Sequence, residues 1–453
     1  MNQDHLHLRH RSPLAYGKIV NLVGAALLIA ALSWGADVPG GIQAQSSSSL
    51  ESIVTYAKAT VTPTATSPQP LAAAALPSAP PVGAGVPAHA FDAAGYASST
   101  DACAACHKTH VAQGRPLQNR WPEENVCFSC HDGSRAPNIK SQFQKTYKMP
   151  IDTTAGIHVK EEARTKQGAS FSGSSRHVEC VDCHNPHRAA AGTHTPGTNR
   201  ASGPLQDQWG VAATNVSPWT SPTLAPIWPV QYEYQVCFKC HSSWAYGSSP
   251  PTSPSGRFPE TDQSKEFNTL NASYHPVEAP GKNPFIGPFG SYAGSLIGGF
   301  TPASTMYCSD CHGSETAGDP QGPHGSTKPF ILKGDWSRTT GRNSRNGAVN
   351  DLCFRCHVAA VYTDPANESN PQQTGFSGEG KNLHAFMVGK KGKVCMDCHL
   401  AVPHGWNRPH LLGFNDDGAP YINRTGSGLQ RVVTWQSPGN WTKDSCATAG
   451  SCH

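Results

Sequence analysis

The sequence predicts a mostly irregular chain with short α-helices, folded around something other than a large side-chain core. Three observations predict it. Apolar residues are only 37% of the 453 residues, below the roughly 45–50% of ordinary soluble domains. Glycine and proline are abundant, at 44 and 38 residues, and such a chain has trouble burying enough side-chain surface. Of the 16 cysteines, all but two fall in one recurring phrase, Cys-x-x-Cys-His.

The phrase has seven perfect copies, numbered here as motifs 1 to 7: Cys103-Cys106-His107, Cys127-Cys130-His131, Cys180-Cys183-His184, Cys237-Cys240-His241, Cys308-Cys311-His312, Cys353-Cys356-His357 and Cys395-Cys398-His399. Two thiols at this spacing can add to the two vinyl groups on one edge of a porphyrin. The next side chain then lies under the iron, where neutral imidazole is a good axial ligand. Cys-x-x-Cys-His therefore reads as a c-type haem attachment site. Zinc sites and disulfide frameworks also use paired cysteines, but neither needs a histidine directly after each pair. Histidine is 22 of 453 residues, too few to fill all seven positions by composition. Cys446 and Cys452 remain, and Cys452 is followed by His453. This is read as an eighth, loosened site, Cys-x5-Cys-His, with a terminal disulfide as the alternative. The expected cofactor is haem c with its iron, eight copies, and the expected core is a chain of covalently bound haems.

In chain order, residues 1–44 read as an export signal. Arg9, Arg11 and Lys18 precede an apolar run from Ile19 to Trp34, and Ile42-Gln43-Ala44 is a plausible cleavage site. An uncleaved anchor is the alternative, although the run is short for a spanning helix of about 20 residues. Export agrees with the motifs, because cytochrome c attachment occurs outside the cytoplasm. The expected location is periplasmic, cell-surface or extracellular, with no transmembrane span in the mature chain. Residues 45–88 are rich in Ser, Thr, Ala and Pro and read as a linker. Residues 89–453 read as four irregular two-haem units. Phe128, Phe238 and Phe354 follow the first cysteine of motifs 2, 4 and 6. Between motifs, the stretches 217–229 and 248–251 read as loops, a short helix is expected from Asn350 to Ala360, and no alternation supports a sizeable sheet.

The sixth iron ligand separates an electron carrier from an enzyme. Methionine cannot serve throughout: there are five, Met1 lies in the signal, and Met396 lies inside a motif, leaving Met149, Met306 and Met387. Histidine is plentiful. Beyond the eight proximal residues and three in the signal, eleven remain. His110, His187, His324 and His404 follow the first motif of each pair. His89, His158 or His177, His275 and His384 precede it. Bis-histidine ligation throughout is the expectation. His194 and His410 are the candidates for plain loop histidines.

These residues resemble the doubled-CXXCH-motif multihaem cytochromes, grouped with the cytochrome c3-like proteins. The strongest matches are Glu179-Cys180-Val181-Asp182-Cys183-His184-Asn185-Pro186-His187, Tyr232 to His241, and Tyr274-His275-Pro276-Val277-Glu278. The resemblance implies low-potential bis-histidine haems that relay electrons in the periplasm or at the cell exterior, and some relatives by architecture polymerise into haem filaments. Two features depart from the pattern: His324 stands twelve residues after His312, where the first two pairs use three, and the Cys446–Cys452 loop is long.

The expected function is thus an electron conduit and not a catalyst, either a discrete carrier or a homopolymer. Its partners would be redox proteins or extracellular electron acceptors. A net charge of +4 and the lack of any nucleic-acid motif exclude a nucleic-acid partner. The alternative is a multihaem oxidoreductase of the nitrite, hydroxylamine or tetrathionate type. That class needs one open iron, for which the Cys446 site is the candidate.

Overall fold

The computed structural model describes residues 88–90, 99–114, 117–151, 178–192, 194–248, 250, 261–282, 295–297, 299–337, 351–371, 373–414, 417–422, 431–432, 440–442 and 445–447. All of them belong to one unit, Pro77–His453. The signal segment and the linker up to residue 87 lie outside the described residues, as do His158, His177, Cys452 and His453. Among the described residues, no helix is long and apolar enough to cross a membrane.

The regular structure is local and short. Among the described residues, ten strands, β1 (Tyr147–Lys148), β2 (Gly210–Thr214), β3 (Thr223–Ile227), β4 (Ser273–Tyr274), β5 (Gly325–Ser326), β6 (Ser377–Gly378), β7 (Lys381–Asn382), β8 (Gly405–Trp406), β9 (Arg431–Val432) and β10 (Cys446–Ala447), form five two-stranded antiparallel ribbons. β2–β3 and β6–β7 join near neighbours. β1–β5 and β4–β8 join segments far apart in sequence. These two long-range ribbons hold the histidines described below.

Two local expectations change. The stretch 217–229 read as loop contains β3, which pairs with β2 in a five-residue register. The turn between them is held from outside, where the Trp219 amide donates to Asn271 Oδ1 at 2.6 Å. The helix expected from Asn350 to Ala360 is two pieces, a 3-10 turn at Leu352–Arg355 and a helix at Ala359–Thr363. His357 sits between them, and its amide closes back on the Cys353 carbonyl.

Apolar side chains gather in patches beside the motifs. The largest packs Val211, Tyr234, Phe238, Trp244, Phe267, Val277 and Met306 together. Phe238, the phenylalanine of motif 4, is 1% exposed at its centre. Phe354 of motif 6 is buried, and Phe128 of motif 2 packs on Phe143 with ring centres 5.8 Å apart. The recurring phenylalanine thus anchors each even-numbered motif to its surroundings through apolar burial.

Candidate haem-binding sites

Each motif is one closed turn. The histidine amide donates to the carbonyl of the first cysteine, four residues back, at 2.9–3.0 Å in all seven. Both thiols and the imidazole therefore leave from a single turn. Motifs 3, 5 and 7 share a second device. Asp182, Asp310 and Asp397 accept from the amides of Glu179 (2.7 Å), Tyr307 (2.8 Å) and Val394 (3.0 Å). This return bond from the third position of the turn satisfies a donor that the short helix leaves over. It explains the Cys-x-Asp-Cys spelling of motifs 3, 5 and 7, where motif 1 has Ala105 in place of the aspartate.

Neighbouring motifs are clamped together. Glu123, just before motif 2, accepts from the Val181 amide inside motif 3 at 3.2 Å. Glu233, in the same place before motif 4, accepts from the Ser309 amide inside motif 5 at 2.9 Å. Burial pushes the Glu123 carboxyl up to about 8. The Sγ atoms of Cys127 and Cys180 and the Glu123 carboxylate lie within 4.8 Å of one another. Both cysteines belong to motifs, so this cluster is the junction of two haem sites. The thiol pairs Cys237–Cys308 and Cys353–Cys395 repeat the contact. Cys106 feels Cys127, Cys183 and Cys240 feel each other, and Cys311 feels Cys356. Buried Lys239 of motif 4 donates through Nζ to the Asp182 carbonyl of motif 3. The seven sites therefore run in sequence order, each beside the next.

The sixth-ligand candidates come from afar. A first-row metal–imidazole bond is about 2.0 Å and the ring centre lies about 1.1 Å behind the ligating nitrogen, so two imidazoles on opposite sides of one iron have centres about 6.2 Å apart. Five pairs meet this spacing. His107 faces His187 at 6.1 Å, His131 faces His89 at 6.2 Å, and His184 faces His324 at 6.2 Å. His312 faces His404 at 6.2 Å, and His399 faces His384 at 6.3 Å. His357 is half-buried; desolvation lowers its pKa most, and the largest charge effect on it is that of His275, followed by His399. With His404 and His384 placed elsewhere, His275 is the histidine available to site 6.

In seven of these histidines Nδ1 is taken by a protein oxygen, which leaves Nε2 for a metal, whereas Nδ1 of His131 and of His324 is buried without a partner. Nδ1–H of His184, His312 and His399 donates to the carbonyls of Pro204, Phe330 and His410 at 2.8–3.0 Å. His89 donates to the Pro186 carbonyl at 2.8 Å and His275 to the Pro403 carbonyl. His384 Nδ1 lies 3.0 Å from Thr374 Oγ1, and His404 Nδ1 lies 2.6 Å from Glu266 Oε2. Burial lowers His312 and His357 to about 4 and His324 and His384 to about 3. A neutral imidazole is the form that ligates iron.

The remaining candidates fall elsewhere. His194 stacks on Tyr307 with centres 3.9 Å apart, and its nitrogens reach Glu233 (2.8 Å) and Ser309. It is a structural histidine. His410 gives its carbonyl to His399. His110 is exposed, and no imidazole faces it among the described residues. Cys446 lies in β10, paired with Val432, and its side chain is outside the described residues.

Sequence reasoning missed the clamp glutamates and the Asp return bonds. It also missed the carbonyl of the Pro-His pair, which at Pro186-His187 and Pro403-His404 accepts from one distal histidine while the next residue serves another site. The repeated Pro-His spelling was a usable signal. The long loop between His312 and His324 is explained too. His324 faces His184 of motif 3 rather than motif 5, and the loop binds Lys145 through Ser314, Glu315 and Asp319.

Residues 97–136, carrying motifs 1 and 2, and residues 301–361, carrying motifs 5 and 6, match the family described as doubled CXXCH motif. The two matched stretches carry doubled CXXCH motifs like those of multihaem c-type cytochromes, and such motifs indicate covalent haem c. No curated protein and no solved structure matches the chain. Thiols on one turn with an imidazole, and a second imidazole at iron-spanning distance, fit haem c at the sites described.

Proposed function

We propose that the protein is an exported octahaem c-type cytochrome, working as a periplasmic or extracellular electron conduit. Each haem, when bound, supplies a one-electron ferric–ferrous couple. The chain anchors each group by two thioethers, fills the axial positions, and sets the sites side by side. The observation that carries the reading is the set of five imidazole pairs at 6.1–6.3 Å. Sites closed on both faces leave no room for a substrate on iron, which favours relay over catalysis. The eighth haem is assigned to Cys446, Cys452 and His453.

A homopolymer is the favoured assembly. His110 holds the place after motif 1 that His187 holds after motif 3, and it is exposed beside site 1. His187 serves a site two motifs upstream, so His110 is available to a haem of a second copy.

Carbon monoxide added to the fully reduced holoprotein tests the function. An unmoved Soret band with eight haems per chain by pyridine haemochrome is expected. A shift in a fraction of the haems opposes the conduit reading and assigns a reaction centre to the open iron.

A further inference from the structure

Two stretches of the chain fold as copies of one another. In the later copy, the Gln263 amide donates to the His241 carbonyl, the helix Gln263–Glu266 follows, and Phe267 packs on His404 with centres 4.9 Å apart. Strand β4 then pairs with β8, and the His275 amide donates to the His404 carbonyl at 2.8 Å. In the earlier copy, the Lys140 amide donates to the His131 carbonyl, the turn Lys140–Gln144 follows, and Phe143 packs on His324 at 5.7 Å. Strand β1 then pairs with β5, and the Met149 amide donates to the His324 carbonyl at 3.0 Å.

The correspondence continues residue by residue. Gly405 lies flat against the Glu266 carbonyl and Gly325 against the Gln142 carbonyl, so neither tolerates a Cβ. Pro276 follows His275, and Pro150 follows Met149. The Val277 amide turns back to the His275 carbonyl at 2.7 Å, and the Ile151 amide to the Met149 carbonyl at 2.9 Å. Met149 therefore stands where the other copy has its distal histidine.

The register says which site it faces. In the later copy, His404 serves site 5 and His275 serves site 6. In the earlier copy, His324 serves site 3, so the residue in the His275 position serves site 4. We infer that Met149 is the sixth ligand of site 4, so that His241 and Met149 hold its iron, an assignment that rests on reading the motifs as haem sites.

A thioether is a neutral, soft donor that favours ferrous iron, and His/Met ligation raises the potential relative to bis-histidine. The adjoining site 5 has the opposite tuning. Its His404 is backed by the Glu266 carboxylate, which is fully buried and also accepts from Tyr421. A carboxylate behind an imidazole makes it a stronger donor to ferric iron. The middle of the chain thus places a high-potential site beside a low-potential one.

The test is the visible spectrum of the oxidised holoprotein, read for the sulfur-to-ferric-iron charge-transfer band at its red end. The reduced protein is read by proton NMR for a ring-current-shifted methionine methyl. Both signals are expected from one haem in the wild type. Both vanish in Met149→His at unchanged haem content, and one step of the redox titration moves to lower potential. In Met149→Ala, carbon monoxide binds at one haem. His158→Ala and His177→Ala keep both signals. A band that survives Met149→His overturns the assignment. A full haem complement with no band and no carbon monoxide binding also overturns it, while the conduit reading stands. Carbon monoxide binding to one wild-type haem without the band overturns both.

Discussion

His324 belongs to the stretch after motif 5, yet it faces His184 of motif 3 with ring centres 6.2 Å apart. The same crossing recurs at His187 with His107 and at His404 with His312. Each odd-numbered site from 1 to 5 is closed by a histidine that follows the motif two further on. These ring pairs tie together segments far apart in sequence.

His324→Ala should open site 3 alone. Carbon monoxide is expected to bind at one haem of the reduced variant, and the signals of site 5, which lies next to His324 in sequence, should stay unchanged. The check is a carbon monoxide titration followed by its difference spectrum. Binding that depends instead on the His312 haem would contradict the crossed pairing.

Glu266→Gln tests the backing of His404. The amide keeps an acceptor for His404 Nδ1 but removes the charge. Imidazolate character falls, ferric iron is less favoured, and one step of the redox titration should rise by on the order of tens of millivolts. Haem content should not change.

Asp397→Ala removes the bond to the Val394 amide at motif 7. The loss of a cap of this kind costs about 1 kcal/mol. The expected result is a lower denaturant midpoint for the holoprotein with an unaltered Soret band.

Glu278 gives a pH dependence. Burial holds its carboxyl up at about 8, against the lowering effect of the Asn215 amide, which donates to it at 2.9 Å. Its other oxygen, Oε1, is buried without a partner. The folded state keeps the proton up to about pH 8, while the unfolded chain releases it near the ordinary value of 4.5. Between these values the unfolded state binds fewer protons, so stability falls as pH rises. This contribution is complete below the unfolded value and lost through about pH 8. Glu278→Gln should flatten the decline and melt higher than the wild type above that pH, as thermal melts across the range will show.

The haem attachment sites were legible because everything they need is local. Two cysteines and a histidine within five residues make one turn, and no distant contact is required to bring Cys180, Cys183 and His184 together. The sparse apolar content and the many prolines likewise implied short elements, and the ribbons and single-turn helices agree. The loop assignment at 217–229 failed for the opposite reason. β3 pairs with β2 in an edge-on hairpin held by Asn271, and such backbone pairing leaves little trace in side-chain alternation.

The sequence alone carries the seven CXXCH motifs that mark a multihaem c-type cytochrome, and enough histidines to expect a histidine sixth ligand throughout. The tertiary structure decided which histidine meets which motif, because an axial partner is chosen by proximity in space and not by spacing along the chain. It also decided that His194 serves Glu233 and Tyr307, and that sites 1 to 7 stand in sequence order. Met149 shows the division most clearly. A count of methionines set it aside as a general ligand, and only the pairing of β1 with β5, matched to that of β4 with β8, placed it in the position of a ligand histidine.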